Sequence, residues 1–130
     1  MNVEAKGFAE LDRLLLQLPD DMAREYLADA VQSGGAQIAD EARRRAPRDE
    51  GDLAASITVQ VTRQRNTGGD PRAEIGPSKK EQHVGRFQEF GTAHNAAQPF
   101  LRPALDTRAQ DAVDIMAAVL REKLNALGVR

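Results

Sequence analysis

Glu81, His83, Glu89 and His94 are the side chains of this 130-residue sequence whose types suit acid–base work or metal binding. A histidine changes charge near neutral pH, and a carboxylate beside it can orient the ring. The spacing does not build a site from them. The histidines belong to no HExxH pattern, and the chain has no cysteine to complete a ligand set. Solvated loop positions or a local hydrogen bond account for them more simply. Ser33, Ser56 and Ser78 lack the glycines that expose a nucleophile on a strand-to-helix elbow. Gly68-Gly69 runs into Asp-Pro rather than Lys-Ser or Lys-Thr, so it is no phosphate loop. Asp70, Glu74 and Lys79 would suit a metal-dependent nuclease only if adjacent strand positions gathered the carboxylates, and Asp70 falls at a predicted loop tip. No motif supports an enzyme, and no catalytic residue, metal or cofactor is expected.

Charge offers a second chemistry. The net charge is −2, yet residues 1–40 hold eight acids against three basic residues, and residues 41–65 hold six arginines against four acids. Arg43-Arg44-Arg45 and Arg48 suit the end of a helix, where cations complement the dipole. They also leave open a small nucleic-acid-binding or regulatory protein that uses the Arg43–Arg48 cluster. Four Phe, one Tyr and no Trp are poor material for stacking bases. No apolar run approaches the roughly 18 residues of a membrane span. The N-terminal MNVEAKGFAE lacks a basic stretch followed by an apolar one, so no export signal is read there.

The elements that must position these residues follow from periodicity. The length suits one domain, residues 1–130, with a modest core of Leu, Ile, Val and Ala. Phe8, Leu11, Leu15 and Leu18 lie on one helical face. Asp20 or Asp21 then caps a helix over about 20–45, whose stripe is Leu27, Val31, Gly34, Ile38 and Ala42. Gly34-Gly35 implies a kink, a close approach of another backbone, or a tolerated weakness. Pro47 ends the helix at Ala46. PRDEGDLAAS reads as a polar turn. Ile57, Val59 and Val61 then alternate with polar residues, NTGGDP turns the chain, and Ala73 and Ile75 point inward on a returning strand, giving a hairpin over about 57–76. Residues 77–81 read as polar loop. Val84, Phe87 and Phe90 mark a short helix stopped by Gly91, and a long helix starts near 99–103, where Pro103 is tolerated. Its inward positions are Leu101, Leu105, Ala112, Met116, Val119, Leu120, Leu124 and Leu127. The class is α+β: a small antiparallel sheet flanked by two N-terminal helices and a long C-terminal helix.

Several segments then resemble one family. AP(x)3G(x)L(x)2SI at 46–57 (Pro47, Gly51, Leu53, Ser56) is followed by a hairpin, by FQEFGT at 87–92 (Glu89, Phe90, Gly91, Thr92) and by QPFLRPALD at 98–106 (Pro99, Phe100, Arg102, Pro103). This order resembles the neck proteins of long-tailed bacteriophages, the family named after a tail-component gene product of a lambda-like coliphage, over roughly residues 20–125. The resemblance implies a structural virion protein that completes the head-proximal end of the tail and joins it to the head connector. It implies no catalysis and no cofactor. The implied partners are further copies of the chain in a ring, commonly six-fold and monomeric before assembly, with connector and tail-tube or terminator proteins. The implied location is the virion, and host cytoplasm during assembly.

On physical grounds Phe90 and Phe100 are expected to anchor the core, and Gly91 to permit a sharp exit. Glu89 is expected to pair with Arg102 and lock the loop. Docking is expected at the loops instead, through Asn66, Gly68, Gly69 and Asp70 at the hairpin tip and Lys79 and Lys80 after it.

Overall fold

The computed structural model describes residues 3–47, 52–62 and 70–129. In chain order the elements are α1 (Phe8–Leu15), α2 (Asp20–Arg45), α3 (Asp52–Ser56), β1 (Thr58–Thr62), β2 (Arg72–Gly76), a 3₁₀ turn (Lys79–Glu81), α4 (Gln82–Phe90) and α5 (Leu101–Leu127). The class is α+β, as the change of period from helix to strand predicts. The two strands pair antiparallel, with Val59 opposite Ile75 and Val61 opposite Ala73.

Helix α2 is the axis of the molecule. One side carries α5 along much of its length and the other carries the sheet. The glycine pair explains how both approach so closely. A Cβ on Gly34 would stand 2.9 Å from the Ala112 carbonyl oxygen and 2.7 Å from Met116 Cγ, both on α5. A Cβ on Gly35 would stand 3.0 Å from Val59 Cγ1 and 3.3 Å from Ala73 Cβ, both in the sheet. Of the readings open for Gly34-Gly35, close approach of another backbone is supported at Gly34 by the Ala112 carbonyl, whereas the atoms nearest Gly35 are side chains of the sheet.

Two apolar clusters form at opposite ends of the α2–α5 pair. At one end Leu11, Leu14 and Leu15 of α1 meet Ala30, Ala117, Leu120 and Leu124. At the other, Phe100 and Ala104 meet Ala39 and Ala42 of α2, its C-cap Ala46, and Leu53, Ala54 and Ile57. Polar contacts mark the antiparallel seam between them, from the ion pair of Lys123 with Asp29 at 2.9 Å to the hydrogen bond of Arg45 Nη2 with Thr107 Oγ1 at 3.2 Å.

Three local expectations are corrected. PRDEGDLAAS is not a turn throughout: 52–56 forms helix α3, because Leu53 and Ala54 bury against the second cluster. Asp20 and Asp21 do not cap α2; Pro19 holds the N-cap position, and both acids sit in the first turn, where they favour the positive end of the dipole. Leu127, expected to face inward, is half-exposed at the last residue of α5. Among the described residues no helix is long and apolar enough to cross a membrane.

Candidate functional site

The junction between α4 and α5 is built by one carboxylate. A helix leaves its first four backbone N–H groups without intrahelical partners. In α5 these belong to Phe100, Leu101, Arg102 and Pro103, and the N-cap position holds Phe100, whose side chain cannot accept a hydrogen bond. Glu89, on α4, supplies the acceptors. Its Oε1 accepts from Phe100 N at 2.9 Å and Leu101 N at 2.8 Å, and its Oε2 accepts from Arg102 N at 3.2 Å. The fourth position is Pro103, which has no N–H to satisfy. Every orphan donor of the helix is thus accounted for, and the negative charge sits at the positive end of the dipole.

The chain between the two helices is folded to bring this about. Gly91 ends α4 with φ 78°, and its N–H donates to Phe87 O at 2.8 Å. A Cβ on Gly91 would stand 2.8 Å from Ala97 N, so the turn excludes a side chain twice over. Thr92 Oγ1 accepts from the amides of His94 and Asn95, and Gln98 N donates back to Gln88 O at 2.6 Å. Phe100 then drops into the core with no exposed surface.

The family-motif residues divide accordingly. Glu89, Gly91, Thr92, Phe100 and Pro103 make the junction. Pro99 is exposed on the approach to it, and Pro47 is half-buried after α2. Leu53 is in the core, and Ser56 closes α3 through Oγ to Leu53 O at 2.8 Å while its carbonyl accepts from Ser78 N. Gly51 lies outside the described residues, as do Asn66, Gly68, Gly69 and Arg48. Asp70, Lys79 and Lys80 are exposed.

Two expectations at this site are overturned. Arg102 does not pair with Glu89 through its guanidinium. It donates its backbone amide to Glu89, and its side chain reaches Asp106 at 3.2 Å, one turn along the exposed face of α5. Phe90 does not anchor the core: it is 78% exposed, and Phe87 is 52% exposed. Of the Val84–Phe87–Phe90 stripe, only Val84 packs against the core. Helix α4 turns Gly85 inward instead, where a Cβ would stand 2.7 Å from Pro77 Cγ.

The exposed aromatic borders a feature that spacing alone did not reveal. A largely apolar groove of about 560 Å³ runs between α4, β2 and the first turns of α5. Ile38, Ile75, Pro77, Phe90, Leu101 and Leu105 line it, with Arg86 and Arg102 beside them. The sequence signal for it was Phe90 itself, an aromatic on a short helix whose neighbouring turns hold too few apolar residues to enclose it.

The acid–base candidates stay apart from one another. Glu89 is engaged by three amides, His94 is exposed in the loop, and His83 sits edge-on to Phe87 with ring centroids 6.2 Å apart. No group of three His, Asp or Glu among the described residues is placed to hold a metal. The arginine cluster is engaged too. Arg43 donates to Ile57 O through Nε and Nη2 and to Asp40 through Nη1. Arg44 and Arg45 both bind Glu41, whose carboxyl is held below the usual range chiefly by its hydrogen bond from Arg44.

Residues 9–91 match the sequence pattern of the family described as "Bacteriophage HK97-gp10, putative tail-component". No curated protein and no solved structure matches the chain.

Proposed function

The chain belongs to the HK97-gp10-like family of bacteriophage tail components, and on that premise we propose that it is a non-catalytic structural subunit that completes the head-proximal end of the tail and joins it to the head connector. The observation that carries this reading is the matched segment itself, which spans α1 to Gly91 and so includes both glutamate and glycine of the α4–α5 junction. The geometry is in keeping with it. The Glu89 constellation fixes two helices rather than activating a substrate, and the groove beside it is largely apolar, which suits another protein surface. The chain acts as part of a ring in the virion, with connector and tail-tube or terminator proteins as its neighbours, and is made in the host cytoplasm before assembly.

Deletion of the coding sequence from the parent phage, followed by electron microscopy of the lysate, tests this. Filled heads and unattached tails, lying separately, are the expected result. Intact infectious particles overturn it. A DNA-binding role through the Arg43–Arg48 cluster predicts instead a strongly salt-dependent affinity of the isolated chain for duplex DNA. Engagement of Arg43, Arg44 and Arg45 by Asp40, Glu41 and the Ile57 carbonyl argues for little such affinity.

A further inference from the structure

We infer that copies of this chain join head to tail, with the α1–α2 corner around Leu16 of one copy seated in the groove between α4, β2 and α5 of the next. This rests on the tail-component reading and names the surface through which the ring would close.

Three observations carry it. First, the described residues expose two large apolar side chains far more than any others: Leu16 and Phe90, each 78% exposed. Phe90 lines a concave groove, whereas Leu16 stands at the C-terminal end of α1, next to the turn into α2. One is a receptacle wall and the other a projection.

Second, they lie at opposite ends of the molecule. The groove is lined by the first turns of α5, and α1 packs where Leu120 and Leu124 lie near its last. Helix α5 has 27 residues, so the two ends are separated by about 40 Å at 1.5 Å per residue. An antiparallel two-fold dimer would join both pairs at once and stop at two copies. A heterologous contact uses one pair per neighbour and closes into a ring or runs on as a filament, which is the arrangement the tail-component reading calls for.

Third, the charges around them are opposite. Residues 10–29, which carry the corner, hold six acids (Glu10, Asp12, Asp20, Asp21, Glu25, Asp29) against Arg13 and Arg24, a balance of −4. Arg121, Glu122 and Lys123 at the same end return +1. Residues 77–106, around the groove, hold Lys79, Lys80, Arg86 and Arg102 against Glu81, Glu89 and Asp106, a balance of +1; Arg102 is paired with Asp106, and Glu89 is already engaged by backbone amides. Such complementarity orients approaching surfaces and suppresses the like-ended pairings.

The natural chain has no cysteine, so thiols can be placed at will. Leu16→Cys and Phe90→Cys both replace exposed side chains, and the melting curve of each variant checks that it keeps its fold. The double variant, oxidised in concentrated solution and in assembled particles, is expected to give a ladder of covalent oligomers beyond the dimer. Mixed single variants, one tagged, are expected to give the Leu16→Cys to Phe90→Cys heterodimer severalfold over either homodimer, with the excess falling as salt screens the charges. Homodimers in equal yield overturn the proposal. So does absence of the ladder both from solution and from particles that contain the chain, or crosslinking of Phe90→Cys to a different virion protein alone; the tail-component reading survives each of these. Infectious particles formed without the chain sink that reading instead, and the ladder in solution still decides the contact.

Discussion

The two ends of the α2–α5 pair are held together by different means. The α1 end is a cluster of leucines at helical spacing, Leu11, Leu14, Leu15, Leu120 and Leu124, with Phe8 and Tyr26 packed around them. Several side chains of one kind share the burial, so no one of them is unique. The groove end is built from alanines with one buried aromatic, Phe100, and from one carboxylate that reaches from α4 to the start of α5. Its geometry depends on single residues. A redundant core tolerates change, whereas a keyed junction holds the surface beside it in one shape.

The largest test of that contrast is Phe100→Ala. Removing a fully buried aromatic costs about 3–5 kcal/mol through lost burial and the cavity left behind. Its Tm is expected to fall further than that of Leu14→Ala, where neighbouring leucines can close part of the space. Equal losses, measured by thermal unfolding of the two variants side by side, would remove the distinction between keyed and redundant ends.

Glu89→Ala comes next. It strips the acceptors from three amides at the start of α5, two of them partly buried. Leaving such donors unsatisfied costs about 1–3 kcal/mol, and loss of a helix cap about 1 kcal/mol. Glu89→Gln keeps one carbonyl oxygen and is expected to lose less. Amide hydrogen exchange gives the local signature: Leu101 and Arg102 should lose protection while Leu120 and Leu124 keep theirs. An unaltered melting curve with lost assembly would move Glu89 from the junction to an interface.

Gly34→Ala probes the seam that joins the two ends. The substitution favours the helix by about 1 kcal/mol, but its Cβ would meet the Ala112 carbonyl oxygen at 2.9 Å, a backbone atom that cannot swing aside. Overpacking of this kind costs about 1–3 kcal/mol, so a net loss of roughly 1 kcal/mol is expected from the two terms together. A rise in Tm would mean that α5 slides on α2, and that the ends are less firmly tied than the distances imply.

The same contrast governs what could be read from the sequence. The leucine end was legible because period 3.6 reports burial directly, and the hairpin because period 2 does. The groove end was not, because its key contacts cross between elements. Arg102 was correctly placed opposite Glu89, but the bond uses its backbone amide rather than its guanidinium, and nothing in spacing separates the two. Phe90 was misplaced because aromatics are scarce and scarcity suggested burial; α4 has only two and a half turns and turns Val84 and Gly85 inward. Helix α3 was missed because turn-forming residues surround Leu53 and Ala54, whose burial comes from distant partners.

The smallest expected effect concerns the other glutamate at a helix end. Glu41 binds Arg44 and Arg45 on the last turns of α2, a cluster of side chains rather than backbone amides. These are flexible, partly solvated partners, and ion pairs of this kind add little. Glu41→Gln is therefore expected to shift Tm less than any change above, and the shift should shrink further in high salt. Its pH dependence has a definite sign. The Glu41 carboxyl is held below its ordinary value of 4.5, first by the hydrogen bond from Arg44. A group with a depressed folded pKa contributes stability that is present above its unfolded pKa and is lost as pH falls through the folded one. The difference between the natural chain and Glu41→Gln should thus be steady near neutrality and disappear in acid, below 4.5. Thermal unfolding of both chains across that range checks it. A Glu41→Gln loss as large as that of Glu89→Ala, or one that persists in acid, would place Glu41 among the keyed contacts and break the division between the two kinds of glutamate.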